Sequence, residues 1–215
     1  AIQVLQPDIH LHQSQQKAKP KTQKVDVFFD DLVQIDTLSL QQGSFTSTKG
    51  KDRTVVLQTK GVQASIEQIH LDAQTLAYKI PVRYKEISFS AEAIQWNTGR
   101  FYDIKIDKIQ GHNTTLTCSN LELTPKYNRK TMVRMFTYAD DIFTVKTKAI
   151  TLSNYTWGFD PQDVLFFKAD HVRLDRINAN IFRDKTPTFN MSIKPLFSKK
   201  LRDIPFTLEL KKVDI

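Results

Sequence analysis

Few residues in this chain could do chemistry, and spacing limits most of them. Two carboxylate pairs, Asp30–Asp31 in "FFDDLV" and Asp140–Asp141 in "YADDIFTV", have the composition for acid/base work. Neighbours on an extended strand point to opposite faces, so neither pair converges on one substrate atom; each reads as punctuation at the start of a strand. His10 and His12 in "IHLH" share a face at i and i+2, a spacing that suits zinc. With His70, His112 and His171 scattered and no third ligand evident, they read as ordinary strand histidines. Cys118, the single cysteine, lies in an apolar slot and reads as a small buried hydrophobe rather than a nucleophile. It excludes an internal disulfide and a cysteine metal cluster. No G-x-G-x-x-G, P-loop, G-x-S-x-G or H-E-x-x-H occurs, and 6 glycines leave little material for phosphate-cradling loops. Neither catalytic nor metal residues are assigned, no cofactor is expected, and the expected activity is non-enzymatic.

The remaining chemistry is charge. Thirty-one basic against 23 acidic residues give a net charge of +8, which biases the chain toward anionic partners. The basic residues cluster: Lys17, Lys19, Lys21 and Lys24; then Lys126, Arg129, Lys130 and Arg134; then Lys194, Lys199, Lys200 and Arg202. Tyr127, Phe136, Tyr138, Phe197 and Phe206 adjoin the last two clusters, a mixture suited to anionic headgroups or to an acidic partner. Solvated loops that aid solubility are the competing reading. No RNP-type, helix-turn-helix or zinc-finger pattern accompanies them, so no nucleic-acid partner is expected.

The elements that must position these groups are strands. Short alternating runs of Val, Ile, Thr, Phe and Tyr dominate, and helical periodicity is nearly absent. The best helix candidate is a turn or two at "DPQDVL", 160–165, with Asp160 as cap and Pro161 at its first position. "TKGKD" (48–52), "TKGV" (59–62), "NTGR" (97–100) and "QGHN" (110–113) read as turns of an antiparallel meander. Residues 13–24 read as a flexible loop and 183–203 as a long connection. "TPKYNRKTM" (124–132) is a further interruption.

One pattern recurs: Φ-x-Φ-x-x-Φ-x-Φ, with Φ apolar or small. It fits "VQIDTLSL" from Val33, "ASIEQIHL" from Ala64, "FSAEAIQW" from Phe89, "IKIDKIQG" from Ile104, "LTCSNLEL" from Leu116, "VKTKAITL" from Val145, "FKADHVRL" from Phe167 and "LELKKVDI" from Leu208. These eight copies read as a repeated structural element. If the central pair is a bulge, both apolar pairs face one side and the strand bends there. If the strand is regular, they face opposite sides. The bulge is the preferred reading. The fold expected is all-β: an extended, twisted, mostly antiparallel sheet curled into a groove, with a compact β-sandwich as the alternative. The chain reads as one β-rich domain, 1–215, or as a segment of a longer repetitive protein. It starts at Ala1 and stops within "LELKKVDI", which suggests a piece with its targeting signals elsewhere.

The run "IHLDAQTLAYKIPVRYKEISFSAEAIQW…FYDIKIDKIQGHNTTLTCSNLELTPKY" and the segment "FKADHVRLDRINANIFRDKTP" resemble the large AsmA-like envelope proteins of Bacteroidota, whose units follow the form x-Φ-x-Φ-D-x-Φ-x-Φ. The similarity covers about residues 64–187. It implies a protein of the repeating β-groove, bridge-like lipid-transfer class, periplasmic and held at the inner membrane by a helix that this chain lacks. It offers no catalytic residues. On this expectation, phospholipid or another anionic envelope lipid is the partner, with envelope proteins as possible further partners. The lipid-lining candidates are the octet residues Ile35, Leu38, Ile66, Ile69, Phe89, Ile94, Ile104, Ile106, Val145, Ile150, Phe167, Val172 and Leu174. Lys126, Arg129, Lys130, Arg134, Lys199, Lys200 and Arg202 are the candidates for contact with a headgroup or partner. The competing function is a structural or interaction module of an envelope assembly, pairing through exposed strand edges.

Overall fold

A computed structural model describes residues 1–13, 33–72, 74–75, 79–160, 162–188 and 203–215. Among the described residues, eleven strands and one helix come in this order: β1 (Ile2–Leu5), β2 (Asp8–Gln13), β3 (Val33–Lys49), β4 (Thr54–Leu71), β5 (Glu86–Asn97), β6 (Tyr102–His112), β7 (Thr115–Pro125), α1 (Arg129–Met135), β8 (Asp141–Phe159), β9 (Leu165–Asp175), β10 (Asn178–Arg183) and β11 (Thr207–Asp214). The strands belong to one mixed sheet ordered β1-β3-β4-β5-β6-β7-β8-β9-β11, not closed into a barrel, with β2 also on β3 and β10 also on β8. The chain divides into two compact units, Ala1–Gln95 with Lys108–Asn113, and Trp96–Asp107 with Thr114–Ile215.

In the first unit β3 and β4 form a long antiparallel hairpin, closed at Lys49↔Thr54 where the sequence places its turn. Gly50 (φ 76) and Arg53 (φ 48) take the left-handed backbone that the tight reversal requires. In the second unit β7, β8 and β9 pair antiparallel in succession, and β10 returns antiparallel to β8. β1 and β2 run parallel to β3, and β11 runs parallel to β9, so the sheet is more mixed than a meander predicts. Parallel pairing needs a connection of about a dozen residues or more. The stretches between Gln13 and Val33 and between Arg183 and Thr207 are long enough to supply one.

The helix lies elsewhere than expected. At 160–165 the Asp160 carboxylate does accept from the amides of Gln162 and Val164, but Asp163 turns left-handed (φ 62) and no helix follows. Instead "RKTMVRM" is helical: it begins within the interruption at 124–132 and runs three residues past it. Asn128 caps it by accepting from the Thr131 amide at 2.9 Å, and Arg134 sits in the last turn, where a cation suits the dipole. Met132 anchors it, fully buried. Seven residues are too few to register as periodicity. "TKGV" (59–62) is not a turn either: it lies inside β4, with Gly61 at φ 59.

The core is thin. Among the described residues only Ile69, Ile94, Cys118, Met132, Ala139, Ile142, Tyr155, Ala169 and Val172 are buried hydrophobics. A closed two-sheet sandwich of this length would bury many more.

Candidate functional site

The octet decides where the apolar side chains point. In β9, Phe167 and Ala169 have one parity, Val172 and Leu174 the other. All four nevertheless belong to one cluster, together with Leu116, Ile150, Leu152 and Tyr155. Strict alternation would send half of them to the far face. The central pair therefore acts as a bulge, and both apolar pairs face the same side. The Tyr155 and Phe167 rings stack at 6.0 Å. β8 does the same at Asn154: Ile150 and Leu152 lie before it and Tyr155 after it, all in the cluster.

The backbone cause is local. Ten non-glycine residues have positive φ among those described, and Gln68 (49), Ala93 (51) and Asn120 (50) fill the second central position of their octets. Gln6 (49), Gln42 (54) and Asn154 (52) mark three further copies: "IQVLQPDI" from Ile2, "LSLQQGSF" from Leu38 and "ITLSNYTW" from Ile150. The last two overlap the octets from Val33 and Val145, because β3 and β8, at 17 and 19 residues, are long enough to hold two each. Counting one copy per strand hides them. Left-handed backbone is accessible to Asn far more readily than to branched residues.

In the first unit, β3 and β4 set Ile35 opposite Ile69 and Leu38 opposite Ile66. Glu67 and Gln68 are both exposed between the half-buried Ile66 and the buried Ile69, the burial pattern of a bulge. Glu92 and Ala93 repeat it before the buried Ile94. Gly111, the weak last slot of its octet, is there for space: a Cβ at that position would run into the Phe89 ring. A depression of 320 Å³ opens over Leu40, Ala64 and Phe89, all octet positions, with Ser39, Ser65, Ser88 and Ser90 around them. Its volume falls at the lower end of ligand sites.

Of the lining candidates, Ile69, Ile94 and Val172 are buried, while Ile35, Leu38, Ile66, Phe89, Ile104, Ile106, Val145, Ile150, Phe167 and Leu174 are half-buried. Ile150, Phe167, Val172 and Leu174 come together in the cluster. Val145 lies outside it, between Leu123 of β7 and Ala179 of β10. Its neighbour Thr147 is a buried polar group, its hydroxyl within reach of the Ala149 and Asp175 carbonyls at 3.1 and 2.8 Å. The overlooked residues matter most at the rim. Trp157 closes the octet from Ile150, pairs with Phe167 and is 49% exposed. Trp96 closes the octet from Phe89 and is 47% exposed. Both occupy the same octet slot half in water; only Trp96 was legible as an octet position, and neither as exposed.

The central positions carry polar ties between strands. Asn120 donates to Asp107 at 2.7 Å, and Asn154 to Asp170 at 3.4 Å. Lys211 pairs with Asp170 at 2.7 Å, and its hydrogen bond holds that carboxyl below the usual carboxylate range. Lys212, and after it His171 at 2.7 Å, does the same for Asp214. Burial pushes the Cys118 thiol up, as befits a packed hydrophobe.

The other candidates are engaged locally. His10 meets Asp8 at 3.0 Å and His12 meets Thr48 at 3.0 Å. Asp141 opens β8 and is gripped by Arg183 at 2.7 and 2.5 Å, a bidentate pair across β8 and β10. Lys126 is committed to the β5–β6 turn: it donates to Asn97 at 2.6 Å and to the Gly99 carbonyl at 2.5 Å, and lies 3.4 Å from Asp103. Arg129, Lys130 and Arg134 line a cleft beside β10. Lys17, Lys19, Lys21, Lys24, Asp30, Asp31, Lys194, Lys199, Lys200 and Arg202 lie outside the described residues. No helix among the described residues is long and apolar enough to cross a membrane. No protein-family model, no curated protein and no solved structure matches the chain.

Proposed function

We propose that this chain is a non-enzymatic β-groove module that shields lipid acyl chains from water, in transport between the membranes of a bacterial envelope or in its maintenance. The single observation that carries the reading is the one-sided octet: Ile150, Leu152, Tyr155, Phe167, Ala169, Val172 and Leu174 share a face despite their mixed parity. That face keeps its apolar rim in solvent at Trp157. A regular strand would divide the same residues between two faces. A one-sided apolar floor removes acyl methylenes from water at about 0.8 kcal/mol each. The mechanism is passive: the chain lies on the floor, and a gradient or a partner supplies direction. The periplasm, and a membrane anchor outside this sequence, complete the reading through the resemblance.

The test is organic extraction of the purified protein followed by mass spectrometry, together with fluorescence quenching by brominated phospholipid. Acyl lipid should co-purify, and brominated chains should quench Trp157 and Trp96. If neither happens, the acyl reading fails. A second reading, a pairing module of an envelope assembly, is favoured by the end strands, where Ile2, Val4 and Leu5 of β1 and Leu208, Leu210 and Val213 of β11 are exposed. A stoichiometric protein partner recovered without lipid would favour it.

A further inference from the structure

A cleft of 400 Å³ lies between α1 and the stretch that follows β10, lined by Arg129, Lys130, Val133, Arg134, Phe182, Asp184 and Thr186. The sequence shows four cations at 126–134, but the fold sorts them. Lys126 is spent on the β5–β6 turn. Arg129 is held in place: it donates to Asn180 at 2.8 Å, and its guanidinium sits 4.5 Å above the Phe182 ring. That stacking leaves the remaining edge of the planar fork free to meet a ligand. Lys130 and Arg134 are exposed, and among the described residues they form no ion pair or side-chain hydrogen bond. The walls are fixed from both sides. Met132 is buried beneath the helix, Phe136 packs edge-on against Phe101 at 5.3 Å, and the Ala139 amide donates to the Thr188 carbonyl at 3.0 Å.

Acidic groups near the cleft are accounted for. Asp141 is paired with Arg183, whose charge Asp140 also faces. Asp184 accepts from the Thr186 amide at 2.8 Å and from its hydroxyl. Three cations therefore face one carboxylate that is already satisfied.

We propose that this cleft binds a phosphate group, with Arg129 as the preset bidentate donor and Lys130 and Arg134 neutralising the charge. A phosphate presents several acceptor oxygens to a planar fork and point charges together, whereas a carboxylate needs only one bidentate partner. Phe182 and Val133 give one wall an apolar surface against which a carbon chain or ring attached to the phosphate can pack. The source is either a lipid headgroup or a free phosphate. The inference does not draw on the acyl reading: it concerns a different surface and stands or falls separately.

The experiment uses the full chain and two probes. Inorganic phosphate is titrated while backbone amides are followed by NMR. Vesicles of phosphatidylcholine doped with phosphatidate, against pure phosphatidylcholine, are used in a sedimentation assay. Phosphate should shift the amides of 129–134 and 182–186. If the lipid is the source, doped vesicles should also sediment the protein. The variant K130Q/R134Q removes no ion pair or side-chain hydrogen bond found among the described residues, so it should keep the wild-type spectrum elsewhere. It should weaken binding about twenty-five-fold, at about fivefold per cation removed. Arg129→Lys keeps the charge but loses the fork, and should weaken phosphate binding further. Shifts with free phosphate but no preference for doped vesicles assign a soluble source. Absence of any shift or sedimentation, or undiminished binding by K130Q/R134Q, overturns the proposal.

Discussion

Asn120→Val separates the bulged strand from a regular one by the sign of its effect. Asn120 is exposed in the middle of β7, at a position where strand propensity favours valine. In a regular strand the change would raise stability by up to about 1 kcal/mol. In the structure its φ is 50, and its side chain donates to Asp107 at 2.7 Å. A β-branched residue in left-handed backbone costs about 1–2 kcal/mol, and loss of the hydrogen bond about 1 kcal/mol more. The expected net result is a loss of about 2 kcal/mol. With a urea m-value of about 2 kcal/mol/M, the midpoint should fall by about 1 M. Trp96 and Trp157 both belong to the unit that contains Asn120, so their fluorescence reports its unfolding. Asn120→Gly, which accepts the backbone but lacks the amide, should fall between the two. A valine variant as stable as the parent, or more so, would refute the bulge, and with it the one-sided apolar face.

Gly111→Val should destabilise by about 1–3 kcal/mol, because the new side chain meets the Phe89 ring; thermal melts of this variant beside Phe89→Ala/Gly111→Val should show partial rescue. The Asp170 and Asp214 carboxyls are held below their ordinary value by Lys211 and by Lys212 with His171. A depressed carboxyl adds stability that is intact above its unfolded pKa and fades as pH falls through its folded one, so β11 should hold at neutral pH and loosen from about pH 4 downward. Hydrogen exchange of 207–214 against pH checks this, and exchange unchanged down to pH 2 or so would contradict it. Burial of Cys118 predicts slow labelling by a thiol reagent in the native protein and fast labelling in denaturant; equal rates would place that side chain outside the packed face.

Strand identity was readable because alternation needs only side-chain type. The hairpin at 48–52 was readable because Gly50 demands a special backbone. Gly61 has the same signature yet lies within β4, beside Glu92 of β5, where a Cβ would come within 3.4 Å of the carboxylate. A glycine marks a left-handed position without saying whether the chain reverses there. The helix was missed because Met132 supplies its only buried contact, and one anchor has no period. Parallel pairing of β11 with β9 was invisible for a different reason: Leu208↔Phe167 and Val213↔Val172 match octet to octet, but an octet aligns as well in either direction. The basic cleft was half legible. Composition placed four cations together, and only the fold reveals that Lys126 is spent while Lys130 and Arg134 remain open.

The octet's polar centre explains why its apolar part can repeat. Where β3 meets β4 the ladder steps over Asp36 and Gln68 together; where β7 meets β8 it steps over Asn120 and Lys148; where β8 meets β9 it steps over Asn154 and Asp170. At these three places each strand drops one residue at the same level and the register is kept; at the octet from Leu38 it is not, because β3 passes over Gln41 and Gln42 against Gln63 alone and the register recovers only where β4 passes over Lys60 and Gly61 against Ser44. A bulge in one strand alone would shift the pairing and send the next strand's apolar set to the wrong face. Matched bulges avoid that, but leave polar groups without ladder partners. The side chains fill the gap: Asn120 reaches Asp107, Asn154 reaches Asp170, and Gln6, in the link between β1 and β2, reaches Gln42 of β3 at 3.0 Å. An amide is well suited to the second position because it tolerates left-handed backbone and can donate. A carboxylate is well suited to the first because it accepts. Asp107 and Asp170 accordingly hold the amides of neighbouring strands, which ties the one-sidedness of the apolar face to a polar seam that can be cut one residue at a time.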